Sequence, residues 1–586
     1  MKIDVREALK SALSSTPVGE QATLLTTWGE QLHPDHVLDQ YPRPQMVRNS
    51  FINLNGFWDY AITLEDDFPY SMDGTILVPF SPESLLSRVH RTLQPDEYLW
   101  YERDLPVVKP SDDKRCILHF GAVDQCAIIF VNGRKVCRHV GGYLPFECDI
   151  TDYLTSDENT LTVRVQDYSD TSYHSRGKQV LEPFGMFYTA QSGIWQTVWL
   201  EWVPALYIKD AKLTCDYDRS TVTVELQLSE TTEVPVKITI DEENKPSVIE
   251  TTAHRITIPL KSKHAWTPRD PHLYPVRIQI GDDEVSCYFA LRVFSIEEDR
   301  SKHPRVCLNH QPVFLNGVLD QGYWSDGLYT APSDEALIYD IQTMKTLGFN
   351  MIRKHAKIEC ARWYYHCDRL GMIVWQDMVN GGGPYNKFRM TIKPTISKWY
   401  RTAFNDHNYA VLNRQSKAGR KEWTQECSDT VQYLSHFPCI STWVPFNEGW
   451  GQFDADRITA MIRHLDPTRL VDSTSGWFEQ HNSDFHSLHI YFGKLYYDPS
   501  PKPYVISEYG GFAYRVEDHS AFDSLYGYKT YISINQFRKA FDELQEDLDD
   551  LIDEGLCGAV YTQLSDVESE MNGILTYDRR VCKLKI

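Results

Sequence analysis

The second half of the chain most limits what it can fold into. From about residue 303, short apolar runs alternate with helical patterns. Eight runs can be counted, at 312–319, 350–355, 372–377, 441–447, 470–474, 488–491, 504–508 and 559–564. Strands separated by helices lie parallel, because a parallel partner needs a long crossover. Eight such strands predict a (β/α)8 barrel over residues 297–586. Between the first two runs, Ser333 is placed to cap a helix, with Asp334 and Glu335 in its first turn. Leu337, Ile341, Met344 and Leu347 give that helix one apolar face, and Gly348 ends it. A late helix over 541–556 carries an acidic run that reads as a solvated face.

Two of the eight runs stop on a glutamate. The fourth ends Pro445-Phe446-Asn447-Glu448-Gly449, and the seventh ends Ile506-Ser507-Glu508-Tyr509-Gly510. A carboxylate closing an apolar strand is costly to bury unless it is paired or used. Barrel enzymes hold reacting groups at the C-terminal strand ends, and strands four and seven face each other across the mouth. Two carboxylates about 5–5.5 Å apart suit a retaining glycosidase, one as nucleophile and the other as proton donor. Such a pair differs in protonation at rest because its surroundings raise one pKa.

The first half has a different texture. Residues 1–40 read as an N-terminal arm with a short helix ending near Pro34. Residues 41–203 alternate in short runs, with Asn132-Gly133 marking a hairpin, and predict a jelly-roll sandwich. Residues 204–296 have room for about seven short strands, the rhythm of an immunoglobulin-like sandwich. The stretch 378–440, with Gly381-Gly382-Gly383-Pro384 and then a helix-like piece, is an insertion at the catalytic face of the barrel.

Composition removes some partners. A formal charge of −22 argues against nucleic acid and against anionic lipid surfaces. The 13 cysteines have no CxxC pair or metal-ligand spacing, so reduced thiols in a cytoplasmic protein are expected. No long apolar run marks a membrane span, and the first residues lack the apolar core of a signal peptide. Homo-oligomerisation is left open.

These motifs together resemble glycoside hydrolase family 2, the family of β-galactosidases, β-glucuronidases and β-mannosidases. The match runs through Tyr41-Pro42-Arg43-Pro44, Leu54-Asn55-Gly56-Phe57-Trp58, Val131-Asn132-Gly133, Ser192-Gly193-Ile194-Trp195 and Trp266-Thr267-Pro268 with Pro271-His272-Leu273-Tyr274. In the barrel it takes in Phe314-Leu315-Asn316-Gly317, Gly348-Phe349-Asn350-Met351-Ile352-Arg353, Asn447-Glu448 and Ser507-Glu508-Tyr509-Gly510. The resemblance implies the same domain order and hydrolysis with retention, with Glu448 as acid/base and Glu508 as nucleophile. It implies that Asn447 donates to the sugar 2-hydroxyl, against a capping role. It also implies that His355, beside Arg353, binds substrate, and that Tyr491 bonds the nucleophile, against structural or packing roles. Asp320, Trp324, Asp377, Trp477, Gln563 and Asp566 lie at or just past strand ends and are candidates for the pocket wall. Trp324 and Trp477 are the two placed to stack on a sugar ring.

The chain departs from the family in three places. Gln376-Asp377-Met378 stands where large β-galactosidases carry a Glu-x-His metal pair, so no metal or other cofactor is expected. No Asn-x-Lys motif, which β-glucuronidases use on the uronic carboxylate, follows strands seven or eight. The eighth strand ends Tyr561-Thr562-Gln563, where β-galactosidases have tryptophan, and Asp320-Gln321-Gly322 replaces histidines after the first strand. The reading is therefore a retaining exo-β-glycosidase acting on a small or oligosaccharide glycoside, with galactoside the default. The alternatives are a β-mannoside, β-glucoside, β-glucuronide or α-L-arabinopyranoside specificity, or a non-catalytic carbohydrate-binding protein.

Overall fold

The computed structural model describes residues 21–110, 113–243, 245–384 and 405–585. After a short helix at Thr27–Gln31, capped by Thr26, the chain enters two facing antiparallel sheets. One has four strands and the other six, and their inner faces bury Trp58, Leu99, Leu118, Ile129, Val163 and Leu200. The expected hairpin is present. Val131 pairs with Arg134 around Asn132 and Gly133, whose φ values of 52° and 72° are the left-handed pair that a tight turn requires. A seven-stranded sandwich follows, three strands against four, built around Val222, Ile238, Ile278 and Val285.

One expectation about the first sandwich is corrected. Cys137 and Cys148 form a disulfide, because adjoining strands Arg134–Val140 and Phe146–Asp149 bring their Cα atoms to 6.6 Å. The other eleven cysteines are free.

The barrel strands are β1 (Leu315–Asp320), β2 (Met351–Lys354), β3 (Ile373–Asp377), β4 (Ile440–Val444), β5 (Leu470–Val471), β6 (His486–Ile490), β7 (Tyr504–Gly510) and β8 (Leu556–Thr562). They form one parallel sheet in the order β5-β4-β3-β2-β1-β8-β7-β6. A short extension past β4, Phe446–Asn447, pairs with Thr474–Ser475 past β5. At the seam, Ser487 of β6 donates to Asp472 just past β5 at 2.8 Å. Helix α1 (Asp334–Thr346) starts where Ser333 accepts from the Ala336 amide. Helix α2 (Ile534–Glu554), capped by Ser533, begins seven residues before the sequence periodicity suggested and buries Phe537, Phe541, Leu548 and Leu551.

The 378–440 insertion is described in part, since 385–404 lies outside the described residues. Its triglycine docks against the first sandwich. Ser175 bridges to Gly381, and the amides of Arg176 and Gly177 both donate to the Asn380 carbonyl at 3.0 Å. A Cβ at Gly381 would stand 2.3 Å from the His174 carbonyl oxygen, so only glycine permits this approach. Arg176 then reaches the Gly382 carbonyl at 2.5 Å. The sandwich segment 174–181 is thereby tied to the barrel mouth.

Candidate active site

Glu448 and Glu508 meet at the mouth. Their carboxylate oxygens and a ring nitrogen of His489 all lie within 4.8 Å of one another, and all three residues are buried. Glu448 is delivered by a sharp strand exit. Its own φ is 52° and that of Gly449 is 73°, two successive left-handed residues that turn the chain off the strand. A side chain bearing φ in this region costs about 1–3 kcal/mol and persists where the surroundings impose it. Here the Glu448 amide donates to the Ser475 carbonyl at 2.9 Å, and Trp477 Nε1 donates to the Glu448 carbonyl at 3.2 Å.

The two carboxylates have unlike neighbours. Glu508 Oε1 accepts from Arg353 Nη1 at 3.2 Å, and Oε2 accepts from the Tyr491 hydroxyl. Burial alone would raise the Glu508 pKa. The neighbouring His489, Arg353, His355 and Lys178 outweigh it and hold the value below the ordinary carboxylate range. Glu508 is therefore ionised at rest, as a nucleophile must be. Glu448 Oε1 lies 2.7 Å from His489 Nδ1, and Oε2 accepts from Trp450 Nε1 at 3.3 Å.

Arg353 organises this centre. Its guanidinium grips Asp377 through Nε and Nη2 at 2.9 and 3.1 Å, and donates to Ser475 Oγ and Asn447 Oδ1, both at 2.9 Å. With its oxygen taken by Arg353, Asn447 has its amide nitrogen left to donate outward. Asp377 also meets His355 Nδ1 at 2.5 Å, which fixes that imidazole; burial, with Lys178 nearby, holds its pKa below the usual range. The Tyr491 ring stacks on Tyr528 at 3.8 Å.

Of the residues expected from sequence, Glu448, Glu508, Asn447, Arg353, His355, Asp377, Tyr491 and Trp477 are brought together. Three others are engaged elsewhere. Asp320 pairs with Lys354 at 2.5 Å inside a second buried charge cluster. The Trp324 indole is covered by Arg579 at 4.2 Å and meets Trp28 edge-on, so its ring packs the arm onto the barrel instead of facing a sugar. Asp566 holds Lys583 at 2.6 Å and anchors the C-terminal segment. Gln563 is fully buried, accepting from Gln321 at 2.9 Å and donating to Asn572 at 2.8 Å.

His489 and Lys178 were missed. His489 sits two residues before Tyr491 on a strand, where side chains two apart share a face, so that spacing could have found it. Lys178 comes from the first sandwich and no barrel pattern points to it. It is half-buried, its Nζ lies 6.0 Å from the Tyr188 ring centre, and it acts electrostatically on His355, Glu508 and Glu570. The Tyr188 hydroxyl donates to Glu570, whose other oxygen accepts from Asn572 at 3.0 Å. Trp450 stacks near Phe187 of the same sandwich segment, with ring centres 4.8 Å apart.

Family models match the chain in three consecutive blocks. The sugar-binding domain of glycosyl hydrolases family 2 matches residues 85–204, the family's middle domain matches 200–292, and its TIM barrel domain matches 300–583. The chain belongs to glycoside hydrolase family 2. It is 23% identical over 438 residues to a putative β-glucuronidase of Formosa agariphila, covering 70% of this chain and 50% of that protein. It is 25% identical to a β-galactosidase of Leuconostoc mesenteroides, covering 62% of this chain and 34% of that protein. The chain thus spans half or less of the length of these curated relatives. Among solved structures, the β-glucuronidase of an uncultured Clostridium sp. superposes with a TM-score of 0.69 at 19% identity, covering 91% of this chain and 96% of that one. This family 2 member therefore has the three-domain architecture of a sugar-binding sandwich, an immunoglobulin-like domain and a parallel (β/α)8 barrel.

Proposed function

We propose that the protein hydrolyses β-glycosides with retention of configuration, by a double displacement between Glu508 and Glu448. What carries this reading is the approach of the two carboxylates to within 4.8 Å at facing strand ends, the spacing of attack and not of an interposed water. Glu508 attacks the anomeric carbon, the bond to the leaving oxygen breaks, and Glu448 passes that oxygen its proton. A water then gives a proton to Glu448 and attacks the same carbon, and the bond to Glu508 breaks. Tyr491 and Arg353 hold the Glu508 oxygens without exhausting their lone pairs. Asn447 is left with an N–H for the sugar 2-hydroxyl.

For the glycone, the β-glucuronide reading moves ahead of the galactoside. Lys178 supports it. Among the described residues no carboxylate lies within salt-bridge distance of its Nζ, whereas Arg353, Lys354 and Lys357 are all paired. A lysine with spare donors near the nucleophile suits a uronic carboxylate. The names of the relatives point both ways, and the β-galactosidase relative keeps the galactoside as second reading.

A 2,4-dinitrophenyl 2-deoxy-2-fluoro-β-glycoside tests the mechanism. The peptide carrying Glu508 is expected to gain the fluorosugar mass, and the first-formed sugar to be the β-anomer by NMR. An α-anomer, or a label elsewhere, defeats the reading. Lys178→Met tests the glycone. It is expected to raise KM for nitrophenyl β-glucuronide roughly 10–100-fold, the worth of one charged hydrogen bond. Nitrophenyl β-galactoside should change little, and equal losses on both would remove the uronide reading.

A further inference from the structure

The hydrogen bonds around His489 admit a consistent ordering of protons that runs from Arg353 to Glu448. Arg353 has donors only, so Ser475 Oγ accepts from its Nη1 at 2.9 Å. The single hydroxyl proton of Ser475 is then free to point at His489 Nε2, 3.0 Å away. A neutral imidazole with Nε2 accepting carries its proton on Nδ1, and Nδ1 faces Glu448 Oε1 at 2.7 Å. An oxygen that receives a donated hydrogen bond in line cannot also hold its own proton on that side. The catalytic proton is left to Oε2, which has only the long contact from Trp450 at 3.3 Å.

We infer that Ser475 and His489 are positioning residues that order the proton of the acid/base. They relay a fixed hydrogen-bond direction from Arg353 to Glu448 and leave the reacting proton on the one oxygen able to meet the leaving group. This rests on the retaining reading above and goes beyond the glutamate pair.

The same serine fixes Glu448 twice. Its carbonyl accepts the Glu448 amide at 2.9 Å, and its hydroxyl orients the imidazole that bonds the Glu448 side chain. Ser475 is brought there because it stands in register with Asn447 in the short pairing past β4 and β5. The charged and titratable groups facing His489 are Glu448 from the β4 exit, Glu508 on β7, Arg353 on β2, Asp472 past β5 and Tyr491 on its own segment. Nε2 stands 3.5 Å from Glu508 Oε1 and carries no proton in this arrangement, so the contact is not a hydrogen bond. Arg353 and Lys178 remain as positive partners of Glu508 when His489 is neutral.

The experiment compares aryl glycosides of the glycone that the parent enzyme turns over, with phenol and with 2,4-dinitrophenol as leaving groups. His489→Leu removes the donor. His489→Asn keeps an N–H near the place of Nδ1. His489→Leu is expected to lower kcat on the phenyl glycoside by roughly 10²-fold, at the low end for general acid catalysis, with KM unchanged and the dinitrophenyl glycoside within about 5-fold. His489→Asn should recover most of the loss. Ser475→Ala should move the same ratio in the same direction by a smaller factor, which keeps the test alive if His489→Leu folds poorly. Equal losses on both leaving groups, a loss confined to KM, or no recovery with asparagine would overturn the inference. Fluorosugar labelling of Glu508 in the parent enzyme separates the two levels. If that label is absent, the retaining reading fails. If it is present and the leaving-group ratio does not move, only the relay fails.

Discussion

Arg353 and Lys354 are neighbours on β2, and they feed two different buried charge clusters. Arg353 reaches Asp377, Glu508, Asn447 and Ser475 at the mouth. Lys354 turns to the other side and pairs with Asp320 at 2.5 Å and Glu359 at 3.1 Å. Glu359 also takes Lys357 at 2.7 Å, and Lys357 spends its remaining donors on the carbonyls of Gly322 and Tyr329. Both clusters are buried and both mix acids with cations. They differ in what is left over. The second is closed on itself, two lysines with two carboxylates and local carbonyls. The first keeps unspent capacity at Glu448, Glu508 and Asn447, with the charge of Lys178 acting on it. Surplus hydrogen-bonding capacity, and not buried charge itself, marks the reacting cluster.

That contrast can be broken most directly at the nucleophile. Glu508→Ala is expected to lower kcat roughly 10⁴–10⁶-fold, as when one member of a reacting constellation is removed. Azide should restore turnover of a dinitrophenyl glycoside and give the α-glycosyl azide. More than a few per cent residual activity without azide would take Glu508 out of the chemistry.

Arg353→Gln sharpens it. Removing the guanidinium takes away a positive partner that lowers the Glu508 pKa, so the value rises toward and past the ordinary carboxylate range. Activity requires the ionised form. The acid limb of kcat/KM should therefore move to higher pH by about 1–3 units, with a fall in kcat of roughly 10²-fold or more. An unmoved acid limb would show that another group holds Glu508 ionised.

Lys354→Met is the matched change in the closed cluster. Breaking a buried pair leaves Asp320 uncompensated and is expected to cost about 3–5 kcal/mol of stability, read as a lower melting temperature. The enzyme that remains folded should keep kcat within about 3-fold and the parent pH profile. A shifted acid limb here would erase the distinction between the clusters.

Much of this was legible in the chain, for reasons that differ by residue. The eight strands were countable because each is an apolar run, most of them set off by a helix, although none separates β5 from β6 or β6 from β7. Glu448 and Glu508 stood out because a charge is conspicuous at the end of such a run. Asn447 and Tyr491 followed from the resemblance to family 2, which points to residues at those two strand ends. Asp320 has the same local signature as Asp377, an aspartate closing an apolar strand. Only the direction taken by neighbouring Arg353 and Lys354 separates their roles, and that direction is a property of the closed barrel. Trp324 is likewise a strand-end tryptophan whose face is filled by Arg579, a residue 255 positions away. Lys178 sits in another domain, where no periodicity connects it to the mouth.

The docking of segment 174–181 across Asn380 and the triglycine carries a consequence for how such an enzyme diversifies. A lobe outside the barrel supplies Lys178, whose charge acts on Glu508, and Phe187, which packs against the tryptophan that bonds Glu448. An isolated barrel would keep Glu448, Glu508 and Arg353 yet lose both of these contacts. On the uronide reading, selectivity can be inherited, exchanged or lost through the accessory lobe while the two glutamates stay as they are.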